Sequence, residues 1–237
     1  MIRIVPETGS TNADLLAALR RGEALREGEW LVADRQSAGR GRQGRGWFDG
    51  HGNFMGSTVC RLAPMDPPPA TLALVAGLAL LEAVQIQCPA VTNLRLKWPN
   101  DLLAGGAKLA GILLEREGEA VVVGIGVNLA QAPDLPDRAT AKLADFGPAP
   151  DRDTFAATLA ECWSRDLARW RDYGIEPLLA RWRAASVPEG TPLTVHEPAG
   201  EIAKGVYAGL SDDGAMRLRL ADGTTRVIHA GDVMLAP

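Results

Sequence analysis

The 237-residue chain has only three cysteines, Cys60, Cys88 and Cys162, far apart and without CxxC spacing. An odd, scattered set excludes a disulfide framework and reads as buried free thiols in a reducing compartment. Histidine is equally scarce. His51, His196 and His229 stand alone, with no partner at metal-ligand spacing, so each reads as a surface or satisfied residue and no structural metal site is expected. The chain has no GxSxG, no HExxH and no GxxxxGK(S/T), which sets aside a hydrolase elbow, a zincin helix and a P-loop. MIRIVPETGS at the start has no apolar segment, so no signal peptide is expected. The longest apolar run, ATLALVAGLALLEAVQI (70–86), contains Gly77 and Glu82 and reads as a buried helix rather than a membrane span. These absences together predict a cytoplasmic protein.

Lysine is also rare. Lys97, Lys108, Lys142 and Lys204 stand against 21 arginines, so each lysine is worth individual inspection. Otherwise the composition is that of an ordinary soluble domain, 46% hydrophobic and 23% charged. A net charge of −4 gives no reason to expect a nucleic-acid or membrane partner.

The length predicts one large domain plus a small one. STNADLLAALRRG reads as an amphipathic helix, with Thr11 and Asp14 as a capping box and Gly22 as its stop. WLVADRQ, NFMGSTVCRL and LRLKWPN read as strands, the last broken at Pro99. KLAGILLERE and EAVVVGIGVNL read as a hairpin joined at Gly118–Glu119. Two helices follow over 151–185, carrying Trp163, Trp170 and Trp182 as core residues. After ASVPEG, short alternating strands with the turn signals EPAG, SDDG and ADG mark a small all-β unit. The expected fold is α+β. It has a mixed, largely antiparallel sheet with helices on one face over residues 1–187, and a small barrel-like β-domain over 188–237.

The most unusual stretch is QSAGRGRQGRGWF (36–48). Between Arg35 and Phe48 there are four arginines and no acid. Gly39, Gly41 and Gly44 match GxGxxG, but GRGWFDGHGN follows and is too glycine-rich for the helix that a dinucleotide fold requires. A bland reading is a solvated basic loop or an RNA-binding segment. The sharper one is a loop that orders on an anionic ligand, with arginine forks gripping carboxylate or phosphate and Trp47 offering a ring face. Two further segments favour the sharper reading. KWPNDLLAGGAKLAGILLE (97–115) places Lys97, Asn100 and Asp101 around a turn and Lys108 at a strand start, although Pro-Asn-Asp is also good turn chemistry. Asp101 is a candidate Mg²⁺ ligand together with phosphate oxygens. Ser10, Thr11 and Asn12 supply small donors and acceptors at a helix start, where capping is the plainer role. Polar groups for a neutral head, cations for two anions and a ring surface together suit adenylation of a carboxylic acid.

ETGSTN, RQSAGRGRQGRGW, KWPNDLL, KLAGILLE and GIGVNL occur in the order and spacing of the biotin–protein ligase family, including the step from Lys97 to Lys108. This resemblance covers nearly the whole chain, and the small C-terminal β-domain is also a family feature. It implies an ATP-dependent ligase that forms biotinyl-5′-AMP and pyrophosphate from biotin and MgATP. The biotinyl group then passes to a lysine of the biotin carboxyl carrier domain of acetyl-CoA carboxylase or a related carboxylase. By the same resemblance, Ser10, Thr11, Asn12 and Gln36 lie at the biotin head. Gly39, Arg40, Gly41 and Arg42 line the biotin and adenylate path, with Arg45 beside them. Lys108 contacts the biotin carboxylate and the α-phosphate. Trp47 and Asn128 belong to the adenine side, Lys97, Asn100 and Asp101 to the phosphate end and metal, and Gly111 and Ile112 to the pocket wall. Lys108, Arg42, Lys97 and Asp101 are the catalytic candidates.

Some relatives carry an N-terminal helix-turn-helix. This chain begins at the catalytic segments, so DNA regulation is not expected of it. Monomer and homodimer both stay open. The motif residues precede position 130, so the tail reads as a carrier-docking or lid-supporting element. The alternatives are a related lipoate–protein ligase-like enzyme and a noncatalytic RNA-binding module.

Overall fold

A computed structural model of the chain describes residues 1–198 and 200–236. Ala199, inside the EPAG turn signal, and Pro237 lie outside the described residues.

The elements in chain order begin with β1 (Ile2–Thr8), α1 (Thr11–Arg20), β2 (Trp30–Gln36) and β3 (Phe54–Arg61). There follow α2 (Leu72–Gln87), β4 (Leu94–Lys97), β5 (Asp101–Ala104), β6 (Ala107–Glu117) and β7 (Ala120–Val127). Then come α3 (Arg152–Tyr173), α4 (Ile175–Ala185), β8 (Pro192–His196), β9 (Ile202–Leu210), β10 (Met216–Arg219), β11 (Thr225–Ile228) and β12 (Asp232–Leu235). The first sheet has the order β1-β2-β3-β7-β6-β5-β4. Only β1 and β2 run parallel, so the sheet is mixed and largely antiparallel, as expected. The short strand β5 was not legible in the sequence. Pro99 and Asn100 turn the chain so that Asp101 pairs directly opposite Lys97.

The helices depart from the expected single face. AVVVGIGV in β7 is buried at every position, which requires cover on both sides of the sheet. Val121, Val123, Ile125 and Val127 join the main core with α2, α3 and α4. Ala120 and Val122 instead pack with Leu15 and Leu16 of α1 in a separate small core. Helix α1 therefore covers part of the opposite face as far as Gly124, beneath Asn12, and beyond it Gly126 faces the loop residue Trp47. The physical signal was present in the unbroken apolar run of β7, which lacks the alternation of a half-solvated strand.

The apolar run becomes α2, and two-thirds of its most hydrophobic window is buried inside the fold. Trp163, Trp170 and Trp182 are fully buried against it, as expected, and the Trp170 indole donates to Thr71 Oγ1 at 2.8 Å. Cys60, Cys88 and Cys162 are free and buried. Burial pushes the Cys60 thiol up to about 12, with Glu27 adding to the rise, so it is an inert thiol at neutral pH.

The C-terminal strands form a second, antiparallel sheet in the order β11-β10-β9-β8-β12. Its end strands β11 and β12 do not pair with each other among the described residues, so the ladder does not close into a full barrel. Leu193, Val195, Tyr207 and Val233 belong to the same core as α2 and β4. The Trp98 indole donates to Gly214 O at 3.1 Å, and Val187 N donates to Leu96 O at 2.9 Å.

Candidate active site

The open end of the sheet face is built on glycine. Gly111 of β6 and Gly126 of β7 are register partners. A Cβ at Gly126 would stand 2.2 Å from Trp47 Cε2, one at Gly111 would stand 3.1 Å from Trp47 Cζ3, and one at Gly124 would stand 2.3 Å from Asn12 Oδ1. The glycines therefore clear a floor on which Trp47 and Asn12 can lie against bare backbone. Above it is a cleft of about 560 Å³.

One end of the cleft is polar and buried. Ser10, not Thr11, caps α1: its Oγ accepts from Ala13 N at 3.5 Å. Asp14 completes no box but accepts from Thr8 Oγ1 at 2.5 Å. Thr11 is drawn inward instead. Its main-chain N–H donates to Gln36 Oε1 at 2.7 Å, and its hydroxyl lies 2.6 Å from Ser57 Oγ. Ser57 Oγ donates to Asn12 Oδ1 at 2.6 Å, and Asn12 Nδ2 donates to Glu115 Oε2 at 2.9 Å. Thr11, Asn12 and Gln36 are thus locked by partners in β2, β3 and β6. Long-range bonding overrides local capping because Gln36 and Ser57 stand 25 and 46 residues away in sequence.

The other end is charged. Asp101, 5% exposed, lies 2.8 Å from Lys97 Nζ and 2.6 Å from Lys108 Nζ. Burial alone would raise its carboxyl, but Lys97 and Lys108 together hold it well below the usual carboxylate range. Lys97 is buried beneath the cleft wall, where its ammonium donates to Val233 O at 2.6 Å. Lys108 opens onto the cleft, with Nζ 5.9 Å from the centre of the Trp47 ring. Arg42 donates to Asn100 Oδ1 at 3.2 Å and to Gly231 O at 3.1 Å. Burial lowers the Arg42 guanidinium, while Asp101 and Asp232 oppose the shift. Arg45 pairs with Asp232, and Arg40 Nη2 lies 3.5 Å from Glu115 Oε1. Asn100 Nδ2 donates to Ile112 O at 2.8 Å, and Asn128 Nδ2 to Ala141 O at 3.0 Å.

The sequence made Asp101 a candidate Mg²⁺ ligand together with ATP phosphate oxygens. Both of its oxygens face ammonium groups, and no cluster of three or more His, Cys, Asp or Glu able to hold a metal occurs among the described residues. As arranged, these side chains do not form a protein cation site.

Of the residues singled out in the sequence, Ser10, Thr11, Asn12 and Gln36 line the cleft at one end, and Asn100, Asp101 and Lys108 at the other. Arg40, Gly41, Arg42, Arg45 and Trp47 cover it, and Gly111, Ile112 and Asn128 form its wall. Lys97 and Gly39 do not line it. Gly39 sits behind, where a Cβ would press on Gln36 Nε2 and Trp47 O, each at 3.2 Å. The sequence reading missed Ser57, Asp232 and the segment from Pro133 to Thr140, which includes Arg138. The segment is pinned beside Lys108, whose N–H donates to Ala139 O at 2.8 Å and whose carbonyl accepts from Ala141 N at 2.9 Å. Asp232 also changes the reading of the tail, since Gly231, Asp232 and Val233 all reach the charged end.

Residues 5–130 match the family described as Biotin/lipoate A/B protein ligase family, more than half of the chain. The chain belongs to that family. Residues 192–235 match a second family, described as Biotin protein ligase C terminal domain. The chain is 39% identical to a biotin–acetyl-CoA-carboxylase ligase of Paracoccus denitrificans, over 97% of this chain and 98% of that relative. It is 40% identical to a ligase of the same name from Mycobacterium tuberculosis, over 98% of this chain and 87% of the relative. The fold resembles the biotin protein ligase of Aquifex aeolicus in complex with biotin and ATP, with a TM-score of 0.86 and 25% identity, covering 99% of this chain and 98% of that one.

Proposed function

We propose that this chain is an ATP-dependent biotin–protein ligase acting in the cytoplasm on the biotin carboxyl carrier domain of a biotin-dependent carboxylase. The observation that carries the reading is the two-ended cleft. A buried, hydrogen-bonded polar end made by Thr11, Asn12, Gln36 and Ser57 opposes a cationic end made by Lys108 and Arg42, with Trp47 between them. A neutral cyclic urea suits the first end, and two anions suit the second.

In the first step a carboxylate oxygen of biotin attacks the α-phosphorus of ATP, and pyrophosphate leaves. The two anions must approach one another. Unit charges ~4 Å apart at an effective dielectric of ~20 repel by about 4 kcal/mol. Lys108 Nζ, already oriented by Asp101 at 2.6 Å, supplies the offsetting charge without reorganisation. Arg42 supplies a second cation from the loop, and Trp47 and Asn128 receive the adenine side. In the second step a carrier lysine amine attacks the biotinyl carbonyl, loses a proton, and AMP leaves. Mg²⁺ enters as MgATP. Residues 1–187 act as the catalytic domain. Residues 188–237 act as a small second domain that closes the charged end through Gly231, Asp232 and Val233.

The reading is tested by incubating the protein with radiolabelled biotin, MgATP and a purified carrier domain. Transfer of label to the carrier lysine is the expected result. Pyrophosphate exchange driven by lipoate or octanoate but not by biotin would reverse the assignment within the family. The match of 192–235 to the biotin-ligase C-terminal domain supports biotin.

A further inference from the structure

Glu115 does not line the cleft, yet it touches two residues that do. Its Oε2 accepts from Asn12 Nδ2 at 2.9 Å, and its Oε1 lies 3.5 Å from Arg40 Nη2. It stands on β6, on the same face as Gly111 and Leu113, at the outer end of the buried polar chain.

We infer that Glu115 is a positioning residue that sets the hydrogen-bond polarity of the head pocket. The inference rests on the biotin reading above. An ionised carboxylate only accepts, so Asn12 turns its NH₂ to Glu115 and its Oδ1 to Ser57. An amide oxygen only accepts, so the Ser57 hydroxyl, 2.6 Å away, spends its single proton on Asn12. Thr11 Oγ1, 2.6 Å from Ser57 Oγ and 3.1 Å from Gln36 Oε1, then gives its single proton to Ser57 rather than to Gln36. Gln36 Oε1 is held by the Thr11 main-chain N–H at 2.7 Å, which leaves the Gln36 NH₂ free to donate. One charge at the end of the chain thereby orders four side chains. Their unused groups are an amide donor on Gln36 and spare lone pairs on Thr11, Ser57 and Asn12. A cyclic urea presents the complement, one carbonyl acceptor and two N–H donors. Turning the Asn12 amide over would set its Oδ1 against the Glu115 carboxylate, acceptor against acceptor, and would reverse the proton order, with Ser57 donating to Thr11 and Thr11 to Gln36 Oε1 at 3.1 Å. Bare Gly124 lets Asn12 lie in this position, since a Cβ there would stand 2.3 Å from its Oδ1.

The test is a polarity swap, read as biotin-dependent pyrophosphate exchange. Asn12→Asp sets two carboxylates against each other. Loss of a hydrogen bond to a charged group predicts a rise in the biotin KM of about thirtyfold, with the ATP KM within about twofold. Glu115→Gln can still accept from Asn12 and should raise the biotin KM by no more than about fivefold. In the double variant, Asn12→Asp with Glu115→Gln, the new amide on β6 donates to the new carboxylate on α1, whose other oxygen still accepts from Ser57. Its biotin KM should recover to within about fivefold of wild type, a non-additive result that an unspecific packing role does not produce. Glu115→Ala keeps Asn12 but frees its amide, and should raise the biotin KM about tenfold with the ATP KM unchanged. A double variant no better than Asn12→Asp, or a Glu115→Ala enzyme with unchanged biotin KM, overturns the inference while leaving the ligase reading intact. Absence of biotin-dependent exchange in the wild type overturns the ligase reading itself and this inference with it.

Discussion

The indole of Trp47 occupies the space that a side chain at Gly126 would fill, with Cε2 2.2 Å from the position of its Cβ. The loop and the sheet are therefore fitted to each other at the bare backbone of Gly126, with Gly111 beside it. Gly126→Ala should expel Trp47 from its seat and raise the KM for ATP about tenfold, a loss of about 1.4 kcal/mol. The thermal midpoint should change little, because the displaced ring lies on a cleft rather than in the core. An unchanged ATP KM would show that Trp47 contributes nothing to nucleotide binding.

Lys108→Ala should reduce adenylate formation by at least about a hundredfold, in line with the ~3–4 kcal/mol typical of a preorganised group facing developing charge. The fold should survive, because Asp101 keeps Lys97 at 2.8 Å. Pyrophosphate exchange within about tenfold of wild type would refute the role, since that is a loss of less than about 1.4 kcal/mol.

Asp101→Asn removes the negative charge between two ammonium groups and should destabilise the protein by about 3–5 kcal/mol at neutral pH. The folded carboxyl is held below its ordinary value. Its stabilisation is therefore complete above the unfolded pKa of about 3.9, and is lost only as pH falls through the depressed folded value. Urea midpoints should show a wild-type lead over Asp101→Asn that is constant from neutral pH to about 5 and shrinks only in more acidic solution. A lead that fades between pH 7 and 5 would contradict the sign.

Arg42→Gly cuts the loop's hydrogen bonds to Asn100 and Gly231. The mixed anhydride should then still form but leave the cleft and acylate bystander lysines. The check is to incubate wild type and variant with biotin, MgATP and an unrelated protein, and then blot for biotin. A variant that makes adenylate yet labels the bystander no more than wild type does would end the retention role.

Much of the site was legible because its residues sit in short contiguous segments. Ser10, Thr11, Asn12, the Gly/Arg stretch, Asn100, Asp101 and Lys108 each announce themselves by type and spacing, and the cleft gathers them. Ser57 was not legible. It looks like an ordinary strand residue until the β3-β7-β6 order brings it beside Asn12, 45 residues away. Asp232 was hidden in the same way, because its partner Arg45 lies 187 residues earlier. Thr11 was read as a cap because local chemistry favoured it.

The sequence by itself determined the periodicities and the turns. The apolar run of α2 and the Gly118–Glu119 hairpin follow from local backbone sterics and from which residues water rejects, whereas Gly124 and Gly126 are kept bare by Asn12 and Trp47, which only the fold brings there. Only the tertiary structure decided which groups share a proton or a charge. Asp101 is an ion-pair hub because the turn at Pro99 and the β5–β6 pairing bring Lys97 and Lys108 to its two oxygens. The acid's titration and the polarity of the head pocket depend on burial and on partners distant in sequence, and those come into being only when the sheet assembles.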